Sequence, residues 1–127
     1  MLATVHPRRG VDAVPACFVV GGDVLAVPVD TVKEKVSTDL QRVKNLDADP
    51  RASLVCDHWD ADDWSRLWWV RATLERVNVG SESRTVLEGD LRRKYAQYEQ
   101  AVFAGLLTFR IVEITGWSAS GTSLRSD

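Results

Sequence analysis

The sequence predicts a mainly β fold with two helices, in which six antiparallel strands close as a small barrel. Short apolar runs end repeatedly at Gly, Pro and Asp turn signals, as in "VVGGDVLAV". Two segments only, one after Asp30 and one after Gly80, change to helical apolar spacing. The strands come in runs rather than alternating with helices, which argues for an antiparallel sheet and against βαβ units. A chain of 127 residues, 45% hydrophobic and 27% charged, forms one domain with a sizeable core.

The elements follow in order. Leu2 to Val5 is the first strand, and His6 to Gly10 turns through Pro7 and Gly10. Asp12 to Val20 reads as a second strand, with Pro15 marking an edge, a bulge or a ligand-facing point because it lacks a ladder donor. Gly21 to Asp23 is a hairpin turn, and Val24 to Asp30 the third strand. From Lys33 to Pro50, Val36, Leu40, Val43 and Leu46 recur at helical spacing. Thr38 with Gln41 has the form of a capping box, and Asp49-Pro50 is a stop. Ala52 to Trp59 is the fourth strand and Arg66 to Val79 a long fifth. In the fifth, Trp68, Val70, Ala72 and Leu74 share one face, and Trp69, Arg71, Thr73 and Glu75 the other. The second helix spans Glu82 to Ala101, with Leu87, Leu91, Tyr95, Tyr98 and Val102 as its apolar stripe. Leu106 to Ile114 is the sixth strand. The domain therefore covers residues 1–117, and 118–127 form a disordered tail.

A net charge of −2 gives no general attraction to nucleic acid or membrane, so an anion site must be local. No apolar run is long enough to span a bilayer, and no signal peptide is visible. Cys17 and Cys56 are far apart without CxxC spacing and read as reduced, buried thiols of a cytoplasmic protein. Cys56, His58, Asp60 and Asp62 fit neither a zinc site nor a calcium loop, so no metal is expected. His58 reads as a strand-end residue facing a partner. No GxSxG, P-loop or GxGxxG occurs, and Ser65 has no evident base, so any chemistry falls to a cofactor.

Two stretches stand out. In "VDTVKEKVSTDLQR", Lys33 and Lys35 share a side of extended chain, Ser37 and Thr38 open a helix, and Arg42 follows one turn later. Ammonium groups, hydroxyls and helix amides would converge there on one anion; an ordinary solvated strand end with an N-cap is the alternative. In "DHWDADDWSRLWWVRA" stand four of the five tryptophans, beside acidic residues and Arg71. Such a cluster fits a wall facing a flat ring or a second subunit, or else a core strand with a wet end.

"LATV", "VPACF", "VDTVKEK", "LQRVKNLDADPRASLVCDHW", "DDWSRLWWVRA", "KYAQY" and "TGWSA" run in order over nearly the whole chain. Together they resemble the split-barrel flavin and deazaflavin oxidoreductases, which include pyridoxamine 5'-phosphate oxidases. Within these, the chain is most similar to an actinobacterial subgroup of coenzyme F-420-dependent enzymes. The resemblance implies a six-stranded split β-barrel, a homodimer and a cofactor in the groove between subunits. It places the cofactor phosphate on Lys33, Lys35, Ser37, Thr38 and Arg42, and the ring against Val14, Pro15, Ala16 and Cys17. Trp64, Trp68 and Trp69 would reach that ring from the other subunit. Trp68 would face the barrel or dimer core, with Trp64 and Trp69 toward the groove and Asp57 and Arg71 bracing them by hydrogen bonds and charge pairing. Two departures stand out: relatives begin with a helix before "LATV", and carry a "DxxGxPH" form where this chain has "HPRRGVD". The implied activity is hydride transfer between F-420 and a small, flat, unsaturated acceptor. FMN in the same fold, as oxidase or reductase, and a non-catalytic flavin- or deazaflavin-binding or storage protein are the alternatives.

Overall fold

The computed structural model describes residues 1–30, 40–121 and 123–126. Among the described residues are eight strands and two α-helices: β1 (Leu2–His6), β2 (Gly10–Val14), β3 (Val19–Gly21), β4 (Val24–Asp30), α1 (Gln41–Ala48), β5 (Arg51–His58), β6 (Trp68–Arg76), α2 (Ser81–Lys94), β7 (Phe103–Ser118) and β8 (Ser123–Ser126). All strand pairs are antiparallel, in the order β2-β1-β5-β6-β7-β4-β3, with β8 beside β7. Among the described residues no pairing joins β2 to β3, so the curved sheet stays open. The mainly β, two-helix expectation holds. The count of six strands and the closed barrel do not.

Pro15 accounts for one extra strand. It ends β2 at Val14, and the chain re-enters the sheet only at Val19, so the strand expected over Asp12–Val20 is two strands with a connector. The tail accounts for another. Expected to be disordered from Ser118, the chain instead turns through Gly121, whose φ of +100° suits glycine, and pairs β8 with Ile114–Trp117. That stretch of β7 lies beyond the reach of β4, which ends its pairing at Arg110, so β8 covers a row of backbone groups otherwise left open.

Alternation along the strands builds the main core. Ala72 and Leu74 of β6 point inward with Leu2, Leu25, Val27, Ala52, Leu54, Leu107 and Phe109, while Arg71, Thr73 and Glu75 face water. Leu46 of α1 plugs the same core. Beside it Asn45, 0% exposed, donates to Thr4 Oγ1 at 2.9 Å and Asp12 Oδ2 at 2.8 Å, and accepts from Gln41 Nε2 at 2.9 Å. That triad ties α1 to β1 and β2 without leaving the buried amide unsatisfied. Gln41 therefore serves Asn45. The N-cap of α1 is Leu40, with no side-chain cap, and the Thr38 half of the expected capping box lies outside the described residues.

α2 covers the opposite face of β3 and β4. Leu87, Leu91, Tyr98 and Phe103 pack there with Val19 and Ala26. Each buried leucine contributes about 1.5–3 kcal/mol. Gly21 permits the close approach, because a Cβ there would stand 3.2 Å from Leu87 Cδ2. The helix expected to reach Ala101 stops at Lys94. Tyr95 turns extended, a short 3-10 turn covers Ala96–Tyr98, and Val102 is 75% exposed rather than part of the stripe. Likewise the long fifth strand runs only from Trp68 to Arg76, and the last expected strand lengthens to Phe103–Ser118. No helix among the described residues is long and apolar enough to cross a membrane.

Candidate functional site

The five tryptophans occupy one end of β5-β6-β7. Trp68 pairs across the sheet with His58 and Ser118, and Trp69 with Asp57 and Trp117. Between β5 and β6 the acidic stretch folds on itself. Asp60 accepts from the amides of Asp62 and Asp63, and Asp63 from the amide and hydroxyl of Ser65. These bonds order the Trp64–Arg66 turn, and Trp64 is left 66% exposed, its ring 5.8 Å from that of Trp59. Trp59 and Trp117 are also exposed. Trp69 is half-buried, with the Arg71 guanidinium 5.4 Å from its ring.

Trp68 departs from its expected place in the core. Although on the inward face, it lies four residues beyond the last buried residue of β6, Ala72, and is 40% exposed, stacked at 20° on His58 with centroids 6.3 Å apart. No ion pair or hydrogen bond joins Asp57 and Arg71 among the described residues; Arg71 braces Trp69 through its cation alone. Both faces of the sheet thus carry tryptophan at this end, Trp69 and Trp117 on one and Trp68 on the other. His58, Trp59 and Trp117 were absent from the ring contacts carried over by resemblance. The signal for Trp117 is strand pairing: it stands far from the cluster in sequence but opposite Trp69 in register.

Of the phosphate residues, Lys33, Lys35, Ser37 and Thr38 lie outside the described residues. Arg42 is described. It reaches from α1 to the Pro28 carbonyl of β4 through Nη2 at 3.4 Å, while its buried Nε has no acceptor among the described residues. A buried donor without a partner costs about 1–3 kcal/mol.

Val14, Pro15, Ala16 and Cys17 form the end of β2 and the connector after it. Ala16 packs on the main core and Cys17 on the cluster under α2, with Pro15 exposed between turns of the path. Cys17 and Cys56 are free thiols, half-buried rather than buried. Among the described residues no three His, Cys, Asp or Glu side chains gather as a metal site.

Within one chain these parts stay apart. Pro28, which Arg42 contacts, pairs with Leu106 near the start of β7, whereas Trp117 is at its far end. At about 3.3 Å per residue, the two positions are separated by roughly 36 Å of strand. Along β7 the Arg42 contact and Trp117 thus fall at different ends of the strand.

No protein-family model matches the chain, and no curated protein matches it. Solved structures do. A heme-binding protein from Mycobacterium smegmatis superposes with a TM-score of 0.75 at 15% identity, over 98% of this chain and 50% of that one. This chain therefore spans half the length of that relative. HutZ, the heme storage protein from Vibrio cholerae, gives a TM-score of 0.61 at 16% identity, over 87% of this chain and 77% of that one. An FAD-binding protein from Mesorhizobium loti gives 0.60 at 15% identity, over 99% and 83%. At these identities the likeness establishes a shared fold and nothing finer.

Proposed function

We propose that this chain acts as a cytoplasmic homodimer that binds a flat, conjugated cofactor with an anionic arm. It would move a hydride between the deazaflavin coenzyme F-420 and a small, flat, unsaturated acceptor. The observation that carries the reading is the gathering of all five tryptophans at one end of the sheet, most of them exposed. Indole faces are suited to a ring system, and a water-soluble monomer gains nothing from leaving them open. The Nε of Arg42, which has no acceptor among the described residues, would serve the anionic arm. Because the two features lie at opposite ends of one sheet, a two-fold partner that lays its tryptophan end against the other's Arg42 completes the site.

In this reading Arg42, with Lys33, Lys35, Ser37 and Thr38, holds the phosphate. Val14 to Cys17 form the wall along the ring, and the partner's copies of Trp64, Trp68 and Trp69 close it from outside and exclude water. When bound, a deazaflavin supplies the ring carbon that carries the hydride. The chain's own work is binding, orientation and desolvation, and no side chain is assigned as general acid. FMN would fit the same features, as oxidase or reductase.

A second reading, heme binding or storage, is favoured by the names of two of the similar structures and by exposed His58 beside the tryptophans. One titration separates these. Purified protein is mixed in turn with F-420, FMN and hemin, following cofactor fluorescence and the absorbance of hemin, and then assayed with quinones and enones. Tight F-420 binding with turnover is expected. FMN bound in its place would overturn the choice of cofactor, hemin alone would establish the second reading, and binding without turnover would establish storage.

A further inference from the structure

We propose that Tyr95 and Lys94, at the end of α2, are positioning residues for the cofactor ring, acting through the connector that follows β2; this rests on the reading above, in which the ring lies along Val14 to Cys17. Where Pro15 takes the chain out of the sheet, the connector loses its strand neighbours, and its amides and carbonyls need other partners. The Tyr95 hydroxyl supplies both at Phe18: its oxygen accepts from Phe18 N at 3.1 Å and donates to Phe18 O at 3.2 Å. One phenol thus does the work of a neighbouring strand. Lys94 Nζ donates to the same carbonyl at 2.8 Å and sits 3.7 Å from the centroid of the Phe18 ring.

The clamp fixes the peptide immediately after Ala16 and Cys17. These two neighbours point to different cores, Ala16 into the main one and Cys17 under α2. A rotation of the connector would turn both and change the wall offered to a ring. The ring of Tyr95 is itself held edge-on against Tyr98, at 5.6 Å and 70°, in the cluster beneath α2. Docking of α2 is thereby transmitted to the ring wall through the Tyr95 hydroxyl and the Lys94 ammonium.

Tyr95→Phe keeps the ring packing and removes both hydrogen bonds. Affinity is measured by deazaflavin fluorescence for F-420 and for the same ring with its ribityl chain but no phosphate. Both affinities should fall about tenfold, with their ratio unchanged, because the ring and not the phosphate is displaced. Lys94→Met, which keeps the stem over Phe18, should act in the same direction more weakly. Thr108→Val removes a hydrogen bond of the same class elsewhere, to Val77 O at 2.6 Å, and should leave both affinities as they were. Thiol labelling of Cys17 should quicken in Tyr95→Phe while that of Cys56 in β5 does not. Wild-type protein that binds neither F-420 nor FMN would refute the cofactor reading and this inference with it. Wild-type binding that Tyr95→Phe leaves unchanged, or a loss matched by Thr108→Val, would refute the inference alone.

Discussion

At the scale of single residues, polar groups inside the fold carry the most exposed consequences. Asn45 satisfies Thr4, Asp12 and Gln41 at once, so Asn45→Ala should cost about 1–3 kcal/mol for each buried group it orphans, read as a lower denaturation midpoint. Arg42 behaves differently. Its Nε has no acceptor among the described residues, so in the proposed reading Arg42→Gln should leave the unliganded protein's stability nearly unchanged while weakening F-420 about ten- to hundredfold, the loss of a hydrogen bond to a charged group. The phosphate-free fragment should not notice the change. Trp69 is the matching test at the other end of the sheet. Being half-buried against Arg71, its replacement by Ala should weaken cofactor binding more than stability; a fall of roughly 3–5 kcal/mol in folding free energy would mark it as core instead.

At the scale of elements, the junctions are as informative as the strands. Between α1 and β5, Asp49 receives the Arg51 guanidinium and backbone amide, which hold its carboxyl down at about 2 from an ordinary 3.8. The folded value is depressed, so its contribution is complete above the ordinary value and fades as pH falls through about 2. Asp49→Asn should therefore flatten the acid end of the stability profile in that window, with the loss of stability full at neutral pH and vanishing as pH falls below about 2. Gly22 in the β3-β4 hairpin has φ +63° with open space around it, so Gly22→Ala should destabilise by roughly 1–2 kcal/mol through backbone strain alone. That hairpin was legible from "GGD", as were β1, β4, β5 and the inward face of β6, because each is a local apolar alternation bounded by turn residues. The connector after β2 was not. "ACFVV" continues the β pattern past Pro15, and the partners that let the chain leave the sheet, Tyr95 and Lys94, are distant in sequence. The stop of α2 at Lys94 was equally hidden, since Tyr95 and Tyr98 keep helical spacing while packing from an extended residue and a 3-10 turn. For the candidate site, the tryptophans were legible as a cluster, but Trp117 joins them only through the β6-β7 register.

At the scale of the whole molecule, the proposed reading places its binding features at the two ends of one sheet and so calls for a second copy. Light scattering at micromolar concentration should return about twice the 14.1 kDa chain mass. A charged substitution on the exposed end, Trp64→Glu, should return the mass to one chain and abolish cofactor binding together. A single-chain mass for the wild type with cofactor still bound would mean one sheet end suffices.

The segregation of aromatic residues also divides the protein's ultraviolet signal by address. Every indole lies at the β5-β6-β7 end, and both tyrosines, Tyr95 and Tyr98, lie in the cluster under α2. Emission excited in the indole band thus reports one end of the molecule and the tyrosine absorbance difference the other, with no label added. If α2 undocks before the sheet opens, the two signals will separate on heating, and a single chain will have recorded the order in which its halves let go.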